Sequence, residues 1–184
     1  MTIAIHQPNF FPHYGFFEKM QAVDKFVILS HCQYEKNNYQ NRFMLDGKWH
    51  TMSVNHGNIP IRKKEYANHF SDWKKIKESL PQYDLSEFDQ LIGRGLCATN
   101  TSIINRIARK LGIVTDREIL LDFPTDLTGT ERLVEICKMH GADTYLSGAS
   151  GRSYMDMKLF DDAGIKVIFQ DPRPSKPILE VIYA

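Results

Sequence analysis

The sequence predicts an α/β domain with a mainly parallel sheet and helices on both faces. Two observations carry this. The first thirty residues read as strand, loop, helix and strand, the βαβ pattern that joins parallel strands. The last third repeats the same rhythm, each helix ending at a glycine and each following strand being short and apolar.

Taken in order, Thr2–Ile5 is a β-branched run ending at His6. Gln7–Tyr14 holds two prolines and an Asn and reads as a loop. Gly15–Val23 is expected to be a helix with Phe16, Phe17, Met20 and Val23 on one side, and Lys25–Leu29 a second strand. Arg42–Val54 is expected to form a hairpin turning at Asp46-Gly47, a pair suited to a type I′ turn. Tyr66–Leu80 and Thr101–Leu111 read as helices, the second capped by Asn100 or Thr101. Glu118–Leu121 is a strand, Thr130–His140 a helix stopped by Gly141, and Thr144–Leu146 a strand. Gly151–Ala163 is a helix stopped by Gly164, and Lys166–Phe169 a last strand. Together they make a three-layer, Rossmann-like domain over residues 1–170, followed by a proline-rich tail, 171–184, expected to be extended.

Composition limits the function. The 184 residues suit one domain. Lys+Arg is 23 and Asp+Glu is 22, so the chain is no dedicated polyanion binder, although a local basic patch is compatible with that balance. The three cysteines, Cys32, Cys97 and Cys137, lie far apart, which argues against a disulfide framework and for a reducing compartment. The start MTIAIHQPNFF lacks the charged and apolar regions of a signal peptide, and no apolar run approaches a membrane span, so a cytoplasmic protein is expected. The seven histidines show no metal-ligand spacing, and neither a metal nor a cofactor is expected.

Three segments could carry chemistry. His6-Gln7-Pro8-Asn9 lies where the first strand ends, and ligands of open α/β sheets bind at the carboxyl ends of strands. Gln33-Tyr34-Glu35-Lys36 and Tyr39-Gln40-Asn41-Arg42 follow the second strand. Lys36 as a point charge and Arg42 as a bidentate fork suit an anion, with Gln33, Tyr34 and Asn41 as polar neighbours. Ser147-Gly148-Ala149-Ser150-Gly151-Arg152 joins a strand to an expected helix, a place where backbone N–H groups receive phosphate or carboxylate. Against each stands a plainer reading: a capped loop, a solvated polar loop and a tight strand–helix turn. His13-Tyr14-Gly15-Phe16 is half of the His-x-Gly-His signature of nucleotidylyltransferases, with Phe16 where the second His belongs. The basic runs Arg62-Lys63-Lys64 and Lys74-Lys75-x-Lys77 read as solvated faces.

Read together, IHQPNFFP, the Gln-Tyr-x-Lys and Gln-Asn-Arg stretches, TERLVEICKMHGADTYLSGASG and GIKVIFQD resemble the WbqC-like family over roughly residues 3 to 170. The resemblance implies a bacterial protein of O-antigen clusters, or a relative in phage DNA modification, that transfers an amino acid, glycine first, to an activated acceptor. The amine would displace phosphate or pyrophosphate from a sugar or from a hydroxymethyl-pyrimidine of DNA. In that reading His6, or else His31, takes the amine proton. Lys36, Arg42, Arg152 and the Gly148–Gly151 amides hold the departing phosphate, with Ser147 and Ser150 beside them, and Gln7, Asn9 and Asn41 orient the reactants. The chain departs from the family in carrying Ser30 and His31 where two acidic residues are usual, His13 where Trp is usual, and the proline-rich tail in place of a longer extension. A nucleotide-binding or nucleotidylyltransferase-like domain and a non-catalytic binding module remain as alternatives.

Overall fold

The computed structural model describes residues 1–121, 123, 126–171 and 174–184. Strand β1 (Thr2–His6) leads through the HQPN loop to helix α1 (Tyr14–Gln21) and strand β2 (Lys25–Leu29). A hairpin follows, β3 (Arg42–Leu45) and β4 (Lys48–Thr51), then helix α2 (His69–Ser79) and helix α3 (Leu96–Lys110). Strand β5 (Asp116–Leu120), helix α4 (Gly129–Met139), strand β6 (Thr144–Ser147), helix α5 (Met157–Asp162), strand β7 (Lys166–Phe169) and helix α6 (Ile178–Ile182) complete the chain.

The central sheet is parallel throughout, in the order β5-β2-β1-β6-β7. Side chains alternate faces along a strand. Ala4, Phe26 and Ile28 therefore join one core with α1, α2, α3 and α6, while Ile3, Ile5, Val27 and Leu29 join a second core with α4 and α5. Burial on both faces explains why β1 and β2 read as unbroken apolar runs rather than alternating ones. The expected α/β, three-layer, mainly parallel architecture is the one observed.

At β1 the strand order reverses: β2 lies on one side, and β6, far later in the chain, on the other. That crevice is where open α/β sheets bind ligands. Thr2 pairs with Thr144 and Ile3 with Tyr145, so the register carried forward brings Ser147 level with Ile5 at the same edge as His6.

Several local expectations need correction. Helix α3 begins at Leu96, five residues before Thr101, with Gly95 in the capping position, so Asn100 and Thr101 are buried interior residues rather than caps. Gly151–Ala163 is not one helix. Ala149–Ser153 forms a 3-10 turn, and α5 starts only at Met157, where the Asp156 side chain accepts from the Lys158 N–H. The hairpin turn has the expected chemistry, with Asp46 and Gly47 both at positive φ (50° and 71°), the two left-handed residues of a type I′ turn.

The proline-rich end, expected to be extended, carries α6. Pro177 precedes its first residue, where the missing N–H costs nothing. Ile178 and Leu179 are buried in the first core, the Tyr14 N–H donates to the Lys176 carbonyl, and the Gly15 N–H donates to Ser175 Oγ. The tail thus fastens the start of α1, the helix that follows the HQPN loop.

Candidate functional site

A cavity of about 680 Å³ opens at the carboxyl ends of β1 and β2. Its walls come from the HQPN loop (His6, Gln7, Asn9), from the segment after β2 (Cys32, Gln33, Glu35, Tyr39), from the start of α4 (Thr128, Gly129, Arg132), and from Tyr145, Ser150 and Tyr154. The size suits a ligand of several tens of atoms.

Two buried residues hold its loops in place. Asn100 Nδ2 donates to the Pro8 carbonyl at 2.8 Å and to the Gln40 carbonyl at 2.7 Å, while its Oδ1 accepts from Tyr66 Oη at 2.6 Å. Gln40 spans the same gap, donating from Nε2 to Gln7 Oε1 at 2.6 Å and accepting the Glu35 N–H at 3.0 Å. The HQPN loop and the Gln33–Arg42 segment, far apart in sequence, are therefore one hydrogen-bonded unit.

His6 Nδ1 lies 2.9 Å from the Gln7 carbonyl, an acceptor only, so this nitrogen carries the proton and Nε2 is left as a lone pair. Burial pushes the His6 pKa down to about 3, and the nearby Lys19 charge pushes the same way, against the pull of the Gln7 carbonyl. Lys19 is itself only 4% exposed. Burial lowers its pKa to about 8. His6 is thus a neutral hydrogen-bonding group at neutral pH. With so acidic a conjugate acid it is a weak proton acceptor, which weighs against the expected role of His6 as the group that takes the amine proton.

The cavity's cation is Arg132. Its Nε donates to the Leu127 carbonyl at 2.6 Å and its Nη1 approaches Cys32 Sγ at 3.4 Å. It stands in the first turn of α4, whose N-terminal residues Thr128 and Gly129 line the same wall. Gly129 has φ of 54°, a left-handed conformation that admits the chain into the helix at this point. The Thr128 side chain, in the capping position, makes no cap hydrogen bond among the described residues. A guanidinium and a helix start in one wall favour an anion. Burial raises the Cys32 pKa, although Gln7 and Arg132 oppose the shift, so this residue is a thiol rather than a thiolate. Glu35 is the one carboxylate among the cavity's described lining residues.

Of the residues singled out from the sequence, His6, Gln7, Asn9, Gln33 and Ser150 line the cavity. The others are placed elsewhere. Lys36 is exposed outside the cavity wall. Arg42 turns away, donating to the Asn37 carbonyl and lying 3.9 Å over the Trp49 ring. Tyr34 Oη donates to Asn41 Oδ1, and Asn41 Nδ2 donates to the Met52 carbonyl, so both serve the packing of the hairpin. Ser147 is buried, with Oγ directed at the Gly148 carbonyl. The Gly148 carbonyl accepts the Gly151 N–H within the turn. Gly151 is a packing glycine, since a Cβ there would lie 2.1 Å from Ser147 Oγ. Arg152 stacks 4.2 Å over Phe169. At 148–152, where an anion seat on the end of a long helix is expected from the sequence, the chain makes only the short 3-10 turn Ala149–Ser153.

Sequence reading missed Arg132, Cys32, Glu35, Tyr39, Tyr145 and Tyr154. Glu35 and Tyr39 fall inside the polar segment already noted, and Arg132 inside TERLVEICK. Among the described residues no group of three or more His, Cys, Asp or Glu side chains is placed to hold a metal ion, and no helix is long and apolar enough to cross a membrane.

Comparison with known proteins adds a framework. A family model described as the WbqC-like protein family matches residues 7–177, from just after His6 to the residue before α6. The "Uncharacterized protein Rv1507c" of Mycobacterium tuberculosis (strain ATCC 25618 / H37Rv) is 29% identical over 188 residues, covering 92% of this chain and 81% of its own. No solved structure matches the chain with significance.

Proposed function

The chain belongs to the WbqC-like protein family, and from its cavity we propose an amino-acid transferase, glycine being the amino acid, that joins the amine to a phosphate-activated acceptor. The observation that carries this reading is the pairing, across one cavity, of Arg132 and the start of α4 with the His6, Gln7 and Asn9 side chains. One wall suits a leaving phosphate, the other an uncharged amine.

In the reaction the amine nitrogen forms a bond to the acceptor carbon while the bond from that carbon to the phosphate or pyrophosphate oxygen breaks. The leaving group departs as an anion onto Arg132 and the helix N–H groups, where its charge is stabilised as it develops. His6, neutral, offers its Nε2 lone pair to an amine hydrogen and so orients the nucleophile. The ammonium proton released on bond formation passes to Glu35, the carboxylate of the same cavity. Gln7, Asn9 and Gln33 hold the remaining polar groups. Lys36, Arg42 and Arg152 have no part in this arrangement. The acceptor is a sugar or a hydroxymethyl-pyrimidine in DNA, and the protein works in the cytoplasm, bacterial or phage-infected, where such activated compounds are made.

Incubation with labelled glycine and each activated acceptor tests the proposal. Label should appear in one product, and Arg132→Ala should slow its formation by roughly 10-fold or more, the effect of losing a charge-assisted contact to the leaving group. No incorporation with either acceptor would overturn the reading.

A further inference from the structure

Beside the cavity stand two rings that the reaction does not use. Tyr39 lines the cavity and is 37% exposed, and Trp49, at the outer strand of the hairpin, is 40% exposed. Their ring centroids are 5.3 Å apart. The Arg42 guanidinium lies over Trp49 at 3.9 Å, and His13 meets the Tyr39 ring edge-on at 5.5 Å. Four flat π groups thus form a continuous row, Arg42, Trp49, Tyr39 and His13, which meets the cavity at Tyr39. Apolar rings of this size usually bury themselves. The other tryptophan, Trp73, does so and hydrogen-bonds Asp89.

We infer that the row is the seat of a nucleobase, and that the acceptor's leaving group is a nucleoside diphosphate with its base on Tyr39 beside Trp49 and its diphosphate on Arg132. The inference rests on the transferase reading for the phosphate seat only. Three features favour a base. Tyr39 offers the cavity a half-exposed flat ring, with Trp49 tilted at 58° beside it, and a planar base can lie against that surface. Tyr39 and Arg132 line one cavity, so the stacked and charged ends of a single ligand can be held together. Gln33, an exposed amide on the same wall, carries both a donor and acceptors for the edge of a base. Base–aromatic stacking contributes enough to raise affinity about 10-fold.

Titration calorimetry with uridine, thymidine and adenosine diphosphates, each compared with pyrophosphate, tests the inference. At least one nucleoside diphosphate should bind about 10-fold tighter than pyrophosphate. Tyr39→Ala should erase that advantage while changing pyrophosphate affinity by less than about twofold, because only the base touches the ring. Equal affinity of all four ligands for the wild type would overturn the inference, as would a nucleoside advantage that survives both Tyr39→Ala and Trp49→Ala. Arg132→Ala separates the two ideas. If it weakens every ligand, the phosphate seat stands whatever the base does. If it weakens none while Tyr39→Ala acts as expected, the base seat stands and the phosphate seat falls. Failure of every ligand to bind the wild type overturns both.

Discussion

Asn100 is the residue on which the geometry of the cavity most depends, and its replacement has a calculable effect. It is fully buried and makes three short hydrogen bonds: to the Pro8 carbonyl, to the Gln40 carbonyl and from Tyr66 Oη. Asn100→Ala strands all three partners in the interior. Each stranded group costs about 1–3 kcal/mol. The three share one site and are not additive, so the total expected is about 3–5 kcal/mol. With an m-value of about 2 kcal/mol/M in urea, the unfolding midpoint falls by about 2 M. Asn100→Asp is a sharper probe, since it keeps the shape but faces a carboxylate with two carbonyl oxygens. Its carboxyl should have a raised pKa in the folded state. The protonated acid is then the form that fits, so the variant's deficit against wild type is largest above the folded-state pKa and narrows as pH falls through that pKa towards the unfolded value of about 3.9. Urea denaturation of both variants at several pH values reads the effect. A loss below about 1 kcal/mol for Asn100→Ala would refute the view that this network fixes the cavity loops.

Other substitutions test other parts of the structure. His6 has a pKa lowered to about 3 against an unfolded value near 6.5, so the unfolded chain binds more protons in that window and stability is lost as pH falls through it. His6→Gln should flatten this slope, and an unchanged slope would count against a buried neutral His6. Lys19→Met should raise the His6 pKa measured by NMR without restoring it fully, because burial is the larger cause. No movement would remove Lys19 from the neighbourhood. Gly151→Ala should cost about 1–3 kcal/mol by driving a Cβ into Ser147 Oγ, and Ser147→Ala in the same chain should recover part of it in thermal melts. Equal losses in both would mean that the clash is not the cause. Leu179→Ala should cost about 2–4 kcal/mol, since the side chain is fully buried, whereas a surface tail would lose almost nothing.

The fold was legible where the local chemistry was decisive. Lys25–Leu29 and Lys166–Phe169 form strands over the limits read from the sequence, and Gly141 and Gly164, both at positive φ, end their helices. The start of α3 was hidden because Gly95 caps it without a polar side chain, so Thr101 looked like the better signal. Helix α6 was hidden by the prolines around it, although Pro177 is itself compatible with a helix start. The site was half legible. His6, Gln7 and Asn9 stand at the end of the first strand, and the strand pattern alone identifies that place. Arg132 is more than a hundred residues away and reads as one charge on the solvated face of an amphipathic helix. Only the strand order, which sets β6 beside β1, brings α4 and the HQPN loop to one cavity. Arg42 and Arg152 show the opposite case, chemically suited side chains whose guanidinium groups are taken up by Trp49 and Phe169.

The central claim is that one cavity couples consumption of an amine to departure of phosphate, and product stoichiometry tests it most directly. With labelled glycine and the activated acceptor that supports incorporation, release of the phosphate-bearing leaving group (phosphate, pyrophosphate or nucleoside diphosphate) and glycine incorporation should proceed at the same rate, and release should stop when glycine is withheld. Release that continues at an undiminished rate without glycine would make the protein a hydrolase of the activated compound and contradict amine transfer in this cavity.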